Sequence, residues 1–182
     1  MFERRRAFSC LVGVALTASL VACGGGDTPG GPGPVPATPA PPPPPVVVSQ
    51  VTGLAIEANV LGRVLVEATR SGTLTATVDW TFAENDVDVA IVGGDCSFEA
   101  FLGGQCPIVA ISASTTAKPE RISGAANAGT YTLFIENTGP GDETISYQVV
   151  LTPDASASAS GRSGSSAGGQ WKGRARTFVE LQ

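Results

Sequence analysis

Five acidic residues close together in the sequence are the first candidates for chemistry: Asp79, Glu84, Asp86, Asp88 and Asp95. Asp86 and Asp88 are two residues apart, so on a strand their carboxylates share one face. Such a pair could hold calcium as a cofactor, because calcium binds several oxygen ligands, or act as acid and base on a sugar bond. Asp side chains also close β-turns without any ligand. We expect the turn to be the main role of Asp86 and Asp88, with calcium secondary.

The composition excludes several classes of protein. The chain has 182 residues and no histidine, which excludes Ser-His-Asp and Cys-His catalysis and any His-ligated metal. A Gly-x-Ser-x-Gly nucleophile motif is also absent from the sequence. Residues 46–153 hold 4 basic and 12 acidic side chains, a net charge of −8. Such a domain repels phosphate backbones, so we expect neither an enzyme nor a partner for nucleic acid.

The first 22 residues predict export, and Cys23 predicts an anchor. Arg4–Arg6 precede an apolar run, Ala7–Leu20, that is too short to remain as a membrane span. The sequence Leu20-Val21-Ala22-Cys23 resembles a bacterial lipobox, which implies a diacylglyceryl cysteine, further acylation such as palmitate, and a lipid-anchored protein at the membrane. The alternative is an ordinary signal peptide with an incidental cysteine. A glycine directly after the cysteine, here Gly24, resembles the signal by which such lipoproteins are sorted to an outer membrane.

The route of export stays open between two systems. Arg5-Arg6-Ala7-Phe8 looks like part of a twin-arginine motif, but the apolar run fits the general secretory route equally well. Either route places the domain in the cell envelope, facing the periplasm or the exterior.

Cys96 and Cys106 are expected to form a disulfide. Cys10 lies in the predicted signal and Cys23 takes the lipid, so these two cysteines remain for an oxidising compartment. Gly103-Gly104 lets the chain turn back between them. The alternatives are two free thiols or a redox-active pair, although the spacing is not that of a Cys-x-x-Cys motif.

The elements that must position these residues fall into four segments: 1–22, 23–45, 46–153 and 154–182. The second begins with Cys23 and continues as a tether in which 10 of the 22 residues from 24 to 45 are proline and 6 are glycine. Such a composition cannot bury a core and favours an extended spacer. A ligand for a proline-recognising domain is the alternative. Only 46–153 has the pattern of a folded domain.

Alternating side chains predict that this domain is all-β. Apolar residues alternate with polar ones in several short runs separated by Gly, Asn and Asp turn signals. Leu74, Ala76, Val78 and Trp80 fall on one face of the clearest run, which makes Trp80 a packing residue rather than a sugar platform. Short strands at regular spacing, without a helical period, predict an antiparallel, jelly-roll-like β-sandwich. The clearest strands are 73–80, 87–91, 130–135 and 145–152, with others near 60–68, 109–114 and 119–123.

Residues 154–182 read as a Ser/Ala/Gly-rich linker and a basic-aromatic tail. Trp171, Phe178 and Leu181 fall on one side at helical spacing. One interpretation of the tail is a disordered or loosely docked end. The other is a recognition segment that docks on an acidic partner, and the chain's own acidic domain is one candidate for that partner.

Four stretches in order resemble the bacterial pre-peptidase C-terminal domain: 72–80, 86–89, 129–137 and 146–151. The resemblance covers about 60–152 and implies a jelly-roll-like β-sandwich of the kind appended to exported enzymes. It also implies binding to polymers such as collagen in some relatives, and to calcium in others. The chain departs from the pattern at Val64 and Val66, where relatives often carry aromatic residues. No peptidase precedes the domain in this sequence, so the family name does not imply the role.

Two functions are expected from this sequence. The first is a non-catalytic, lipid-anchored binding or adhesion module of the bacterial envelope, with a protein or polysaccharide ligand. The second is a structural or assembly lipoprotein that contacts another exported protein. A small hydrolase is a remote third, because the chain lacks histidine.

Overall fold

The computed structural model describes residues 41–155 except 113 and 116, together with 171 and 177–181. The predicted signal peptide, Cys23, most of the tether and most of the linker lie outside the described residues. Nine strands and one short helix follow one another in the described chain. They are β1 (Val46–Ile56), β2 (Val60–Ala68), β3 (Gly72–Trp80), β4 (Val87–Gly93), α1 (Phe98–Leu102), β5 (Ile108–Ser112), β6 (Glu120–Ala126), β7 (Gly129–Asn137), β8 (Glu143–Pro153) and β9 (Thr177–Glu180).

The strands form two sheets packed as an open sandwich. One sheet has the order β1-β8-β3-β6 and the other β5-β4-β7-β2-β9. Neighbouring strands run antiparallel, except that β9 runs parallel to β2. Without β9, the two four-stranded sheets have the strand order of a jelly roll, in which the chain passes repeatedly between sheets. The predicted all-β sandwich is confirmed, and the parallel edge strand makes one sheet mixed.

The main core lies between the sheets and is formed by the predicted alternation. Leu74, Ala76 and Val78 of β3 are fully buried, and Trp80 is 6% exposed. Every second residue of β8 from Ile145 to Leu151 packs into the same cluster. The indole Nε1 of Trp80 donates to the backbone oxygen of Asn85 at 3.1 Å. Its burial in the main core confirms that Trp80 is a packing residue.

A second, smaller core covers the outer face of the five-stranded sheet. Phe134 of β7 lies at its centre and stacks on Phe101 of α1 with ring centroids 4.0 Å apart. Ser97 caps α1, because its hydroxyl accepts from the backbone nitrogen of Ala100 at 3.2 Å. This helix excludes water from strand positions that alternation alone assigns to solvent. Both faces of β4 and most of β7 are therefore buried.

Cys96 and Cys106 are joined by a disulfide, in agreement with the prediction. The bridge closes the loop that carries α1 and fastens it beside β4. The backbone nitrogen of Cys96 also donates to the hydroxyl of Thr132 on β7, at 3.0 Å. The second core is thus held by one covalent bond and by stacked rings.

The tail forms a strand, so the interpretation of its residues as one helical side is wrong. Phe178 lies on the outer face, where its ring stacks on Phe98 at 4.9 Å. Leu181 enters the main core and is 6% exposed. Trp171 packs edge-on against Phe101 at 5.0 Å. Of the open alternatives, the structure shows docking on the chain's own domain.

Candidate functional site

One end of the sandwich is tied together by a buried carboxylate, Glu143, at the start of β8. Its oxygens accept from the backbone nitrogens of Thr81 at 2.8 Å and Phe82 at 3.0 Å. They also accept from the side-chain amide of Asn85 at 2.7 Å. A carboxylate that satisfies several donors fixes a loop that otherwise has few partners. Glu143 therefore sets the shape of the β3–β4 connection.

Asn85 and Asp86 link this connection to the β7–β8 turn. The amide group of Asn85 donates to the backbone oxygen of Gly141 at 3.2 Å and accepts from its nitrogen at 3.2 Å. The backbone oxygen of Asp86 accepts from the Thr138 nitrogen at 2.9 Å, and its carboxylate accepts from the Thr138 hydroxyl at 3.3 Å. Asp86 thus takes part in loop contacts chiefly through its backbone, while the side chain of Asn85 holds the turn.

Asp88 lies inside β4 rather than in the turn. It is 5% exposed on the outer face of the sheet and directly opposite Glu136 of β7. Burial raises the pKa of Asp88 to about 7, and the nearby carboxylates of Asp86, Glu120 and Glu136 add to the shift. Asp86, which precedes β4, and the two glutamates are thus close enough to Asp88 for their charges to act on it.

Glu120 is a further buried carboxylate beside this group. One oxygen accepts from the hydroxyl of Ser112 and, at 3.0 Å, from the backbone nitrogen of Ser114. Its other oxygen has no hydrogen-bond partner among the described residues. Burial raises the pKa of Glu120, against the lowering effect of the two hydrogen bonds. The acidic group, defined as Asp86, Asp88, Glu120 and Glu136, therefore collects negative charge from three strands and a loop.

The other acidic residues of the sequence cluster do not join this group. Asp79 pairs with Lys118, whose hydrogen bond lowers the pKa of Asp79. Asp95 pairs with Arg63 on the opposite side of the outer face. Glu84 is exposed in the β3–β4 connection. Of the five acidic residues that are close in sequence, only Asp86 and Asp88 therefore stay together in the fold.

The acidic group contains Asp86 and Asp88, the two residues of the predicted calcium site. No three His, Cys, Asp or Glu side chains among the described residues are arranged to hold a metal ion. Calcium at Asp86 and Asp88 stays a prediction. Neither Asp86 nor Asp88 lines the surface cleft beside Phe82 or the one beside Leu181.

A shallow cleft of about 330 Å³ lies at the end fixed by Glu143. Phe82 is 51% exposed at its rim. Glu84, Pro140 and Asp142 complete the rim. An exposed aromatic ring beside carboxylates offers an apolar face together with hydrogen-bond acceptors. This arrangement can bind a sugar ring or a cationic group.

Sequence reasoning missed Glu120, Glu136 and Glu143, although two of them carry a signal. Glu143 has the same strand parity as Ile145 and Tyr147, and Glu120 has that of Ile122. A charged residue at a core-facing strand position needs partners and so marks a polar network. Glu136 lacks this signal, because its outward position becomes buried only through packing on the outer face.

Comparison with known proteins identifies no family for this chain. The chain matches no protein-family model, and it matches no curated protein. The resemblance to the pre-peptidase C-terminal domain therefore depends on the four sequence stretches alone. In the described residues, no helix has the length and apolar character that a membrane span needs.

Proposed function

We propose that this chain is a non-catalytic, lipid-anchored binding or adhesion module of a bacterial envelope. The signal-like segment 1–22 and the lipobox-like residues before Cys23 support the anchor. The lack of histidine and the use of Glu143, Asp79 and Asp95 in structural contacts support a role without catalysis.

The exposed ring of Phe82 carries the binding role. A ligand that covers this ring, which is 51% exposed, would gain the free energy of burying its apolar surface. Glu143 and Asn85 fix the loop beneath this ring, so the loop loses little conformational entropy when a ligand binds. Glu84 and Asp142 add carboxylates that accept hydrogen bonds from sugar hydroxyls or from amines. The ligand class is a polysaccharide or protein of the envelope.

The test is retention of the purified protein on isolated peptidoglycan sacculi, measured by co-sedimentation. Phe82→Ala should weaken retention about two- to twelvefold, since one stacked aromatic contributes about 0.5–1.5 kcal/mol. Leu102→Ala is the matched control, because Leu102 is also exposed, at 44%, and lies away from this cleft. Equal retention of the wild type and both variants, or no retention of the wild type, would contradict sacculus binding through Phe82.

A second function is supported by a separate observation. The docked tail favours a structural or assembly lipoprotein, since it shows that the domain accepts an extended segment at the edge of β2. Such an edge joins chains through backbone hydrogen bonds. In this form of the proposal the partner is another exported chain, and no small ligand is needed.

A further inference from the structure

The sandwich is complete without β9. Eight strands form the two four-stranded sheets, and β9 adds a fifth strand at the outer edge of β2. Among the described residues, four residue pairs join the two strands, from Val60 with Thr177 to Arg63 with Glu180. All four residues of β9 are exposed. The tail is therefore an added element rather than a part of the framework.

Leu181 anchors this added strand in a notch. Its side chain lies in the main core and its backbone nitrogen donates to the oxygen of Arg63 at 2.8 Å. Gly62 makes the notch, because a Cβ there would lie 2.4 Å from Cδ1 of Leu181. A side chain at position 62 would therefore compete with Leu181 for the same space.

Charge and ring contacts fix the direction of the strand. The guanidinium of Arg63 donates to the carboxylate of Glu180 at 2.7 Å and also pairs with Asp95. The Arg63 side chain is only 14% exposed, so this pair is partly desolvated. The ring of Phe178 stacks on Phe98. Backbone pairing, a leucine notch, an ion pair and a stacked ring together form a specific site for an extended segment.

An uncovered β2 edge would be a site for association. β2 is nine residues long and strongly apolar, which is the kind of edge that recruits another strand. The segment shown to fit it is 177–181, and every copy of the chain carries that segment. Residues 156–170, which connect the domain to Trp171, can span at most about 50 Å. That reach is sufficient for a tail to meet the domain of an adjacent copy.

We propose that β9 is an exchangeable strand through which two copies of this chain join, each tail occupying the β2 edge of the other copy. The proposal deepens the assembly function above and rests on it. An exchanged pair makes the same contacts as two closed copies, so local concentration decides between the two states. Confinement to a membrane surface raises that concentration, which is how an anchor would favour the joined state.

A charge-reversal pair tests the exchange. Both partners carry Cys23→Ser and Asp95→Asn; one adds Arg63→Glu and the other Glu180→Arg. Each variant alone places like charges at positions 63 and 180, in its closed form and in a self-pair. In a mixture each tail meets the complementary edge. Analytical ultracentrifugation should show monomers of each variant alone and a 1:1 dimer in the mixture.

The matched control carries both reversals in one chain, which restores the ion pair within each copy, so it should be monomeric at the same concentration. A mixture that stays monomeric would overturn the proposal. Dimers of either variant alone, in the same amount as in the mixture, would also overturn it, because the contact would then not involve these two positions.

A peptide in trans gives a second test that does not depend on charge reversal. Leu181→Asp in the Cys23→Ser chain should release the tail, since a carboxylate in the core notch is costly. A labelled peptide of residues 171–182 should then bind this chain at least ten times more tightly than it binds the Cys23→Ser parent, whose edge is covered. A peptide carrying Leu181→Asp is the control.

Equal binding of the peptide to both chains, or to neither, would contradict a strand-accepting edge. Both tests are made in solution without the lipid. A failure of either one therefore concerns the exchange, whereas a failure of membrane anchoring concerns the proposed function.

Discussion

Asp88 and Asp79 show how position decides what a carboxylate does. Asp88 is buried opposite Glu136, and its pKa is raised to about 7. Asp79 lies at the surface beside Lys118, which lowers its pKa. Asp88 therefore changes its ionisation near neutral pH, whereas Asp79 stays ionised down to acidic pH. The two residues give a matched pair for measurements of stability.

The raised pKa of Asp88 predicts that the domain loses stability as pH rises. The native state keeps a proton that the unfolded state releases near 3.8, so the free energy of unfolding falls from about pH 4 until the native pKa of about 7 is passed. Asp88→Asn should flatten this slope and raise the melting temperature at pH 8 by about 5 °C. The check is thermal unfolding between pH 4 and pH 8.

Asp79→Asn is the control for this measurement. Because its native pKa is lowered, its contribution to stability is lost only below the titration range of Asp88. The slope between pH 5 and pH 8 should stay that of the wild type. An Asp88→Asn variant that keeps the wild-type slope would show that the burial of Asp88 is not the cause.

A substitution at Asp86 distinguishes a role in the turn from a role in calcium binding. Its carboxylate makes one hydrogen bond, to Thr138 at 3.3 Å, while its backbone makes the shorter contacts. Asp86→Ala should therefore cost about 0.5–1 kcal/mol, equally with millimolar calcium and with a chelator. The measurement is the melting temperature in both conditions. A calcium-dependent rise in the wild type that is lost in Asp88→Asn would instead establish a metal site.

At the scale of elements, the α1 loop is held by the Cys96–Cys106 bond and by stacking of Phe101 on Phe134. The five-residue helix is too short to be stable by itself. It exists because its rings cover the outer face of the sheet and because the bridge restricts its loop. Trp171 depends on the same helix, so the loop also supports the docked tail.

Loss of the bridge is predicted to loosen this element more than the sandwich. Replacing both cysteines by serine should cost about 2–3 kcal/mol by the loop-entropy estimate. Peptides containing Cys96 and Cys106 should appear linked in non-reducing mass spectrometry of the exported protein. Hydrogen exchange should increase first in residues 97–106 of the serine variant. Complete alkylation of both thiols in the exported wild type would reject the bridge.

The sequence predicted those strands whose two faces meet different surroundings. β3 and β8 alternate cleanly because one face of each lies in the main core. β1 was missed because its register shifts twice, once near Gly53, and this breaks the alternation. β9 was missed because all its residues are exposed and its signal lies in Leu181 and Gly62, which are distant in sequence.

The candidate site was predictable only in part for a related reason. Asp86 and Asp88 were found from their spacing, and the pairing of Cys96 with Cys106 from the oxidising compartment that the sequence predicts. Besides Asp86, the carboxylates that raise the pKa of Asp88 come from β6 and β7. Their proximity depends on strand order, which local patterns do not specify.

At the scale of the molecule, an acidic domain follows a predicted lipid anchor and spacer. Residues 46–153 carry a net charge of −8, so an anionic membrane surface would repel them. A proline-rich spacer of 22 residues reaches at most roughly 70 Å and can hold the domain away from the lipid. In the proposed function, the predicted anchor at Cys23 would confine such a domain to the membrane, and the proposed adhesion and strand exchange would both depend on this confinement in the cell.

The most direct measurement is fractionation of cells that express the wild type or Cys23→Ser. The wild type should be processed and recovered with the membranes, because several acyl chains hold a protein firmly. Cys23→Ser should appear in the soluble fraction or remain as the uncleaved precursor, while Cys10→Ser, a matched control within the predicted signal, should behave as the wild type. A Cys23→Ser protein that is still cleaved and still bound to the membrane would contradict the proposed lipid anchor.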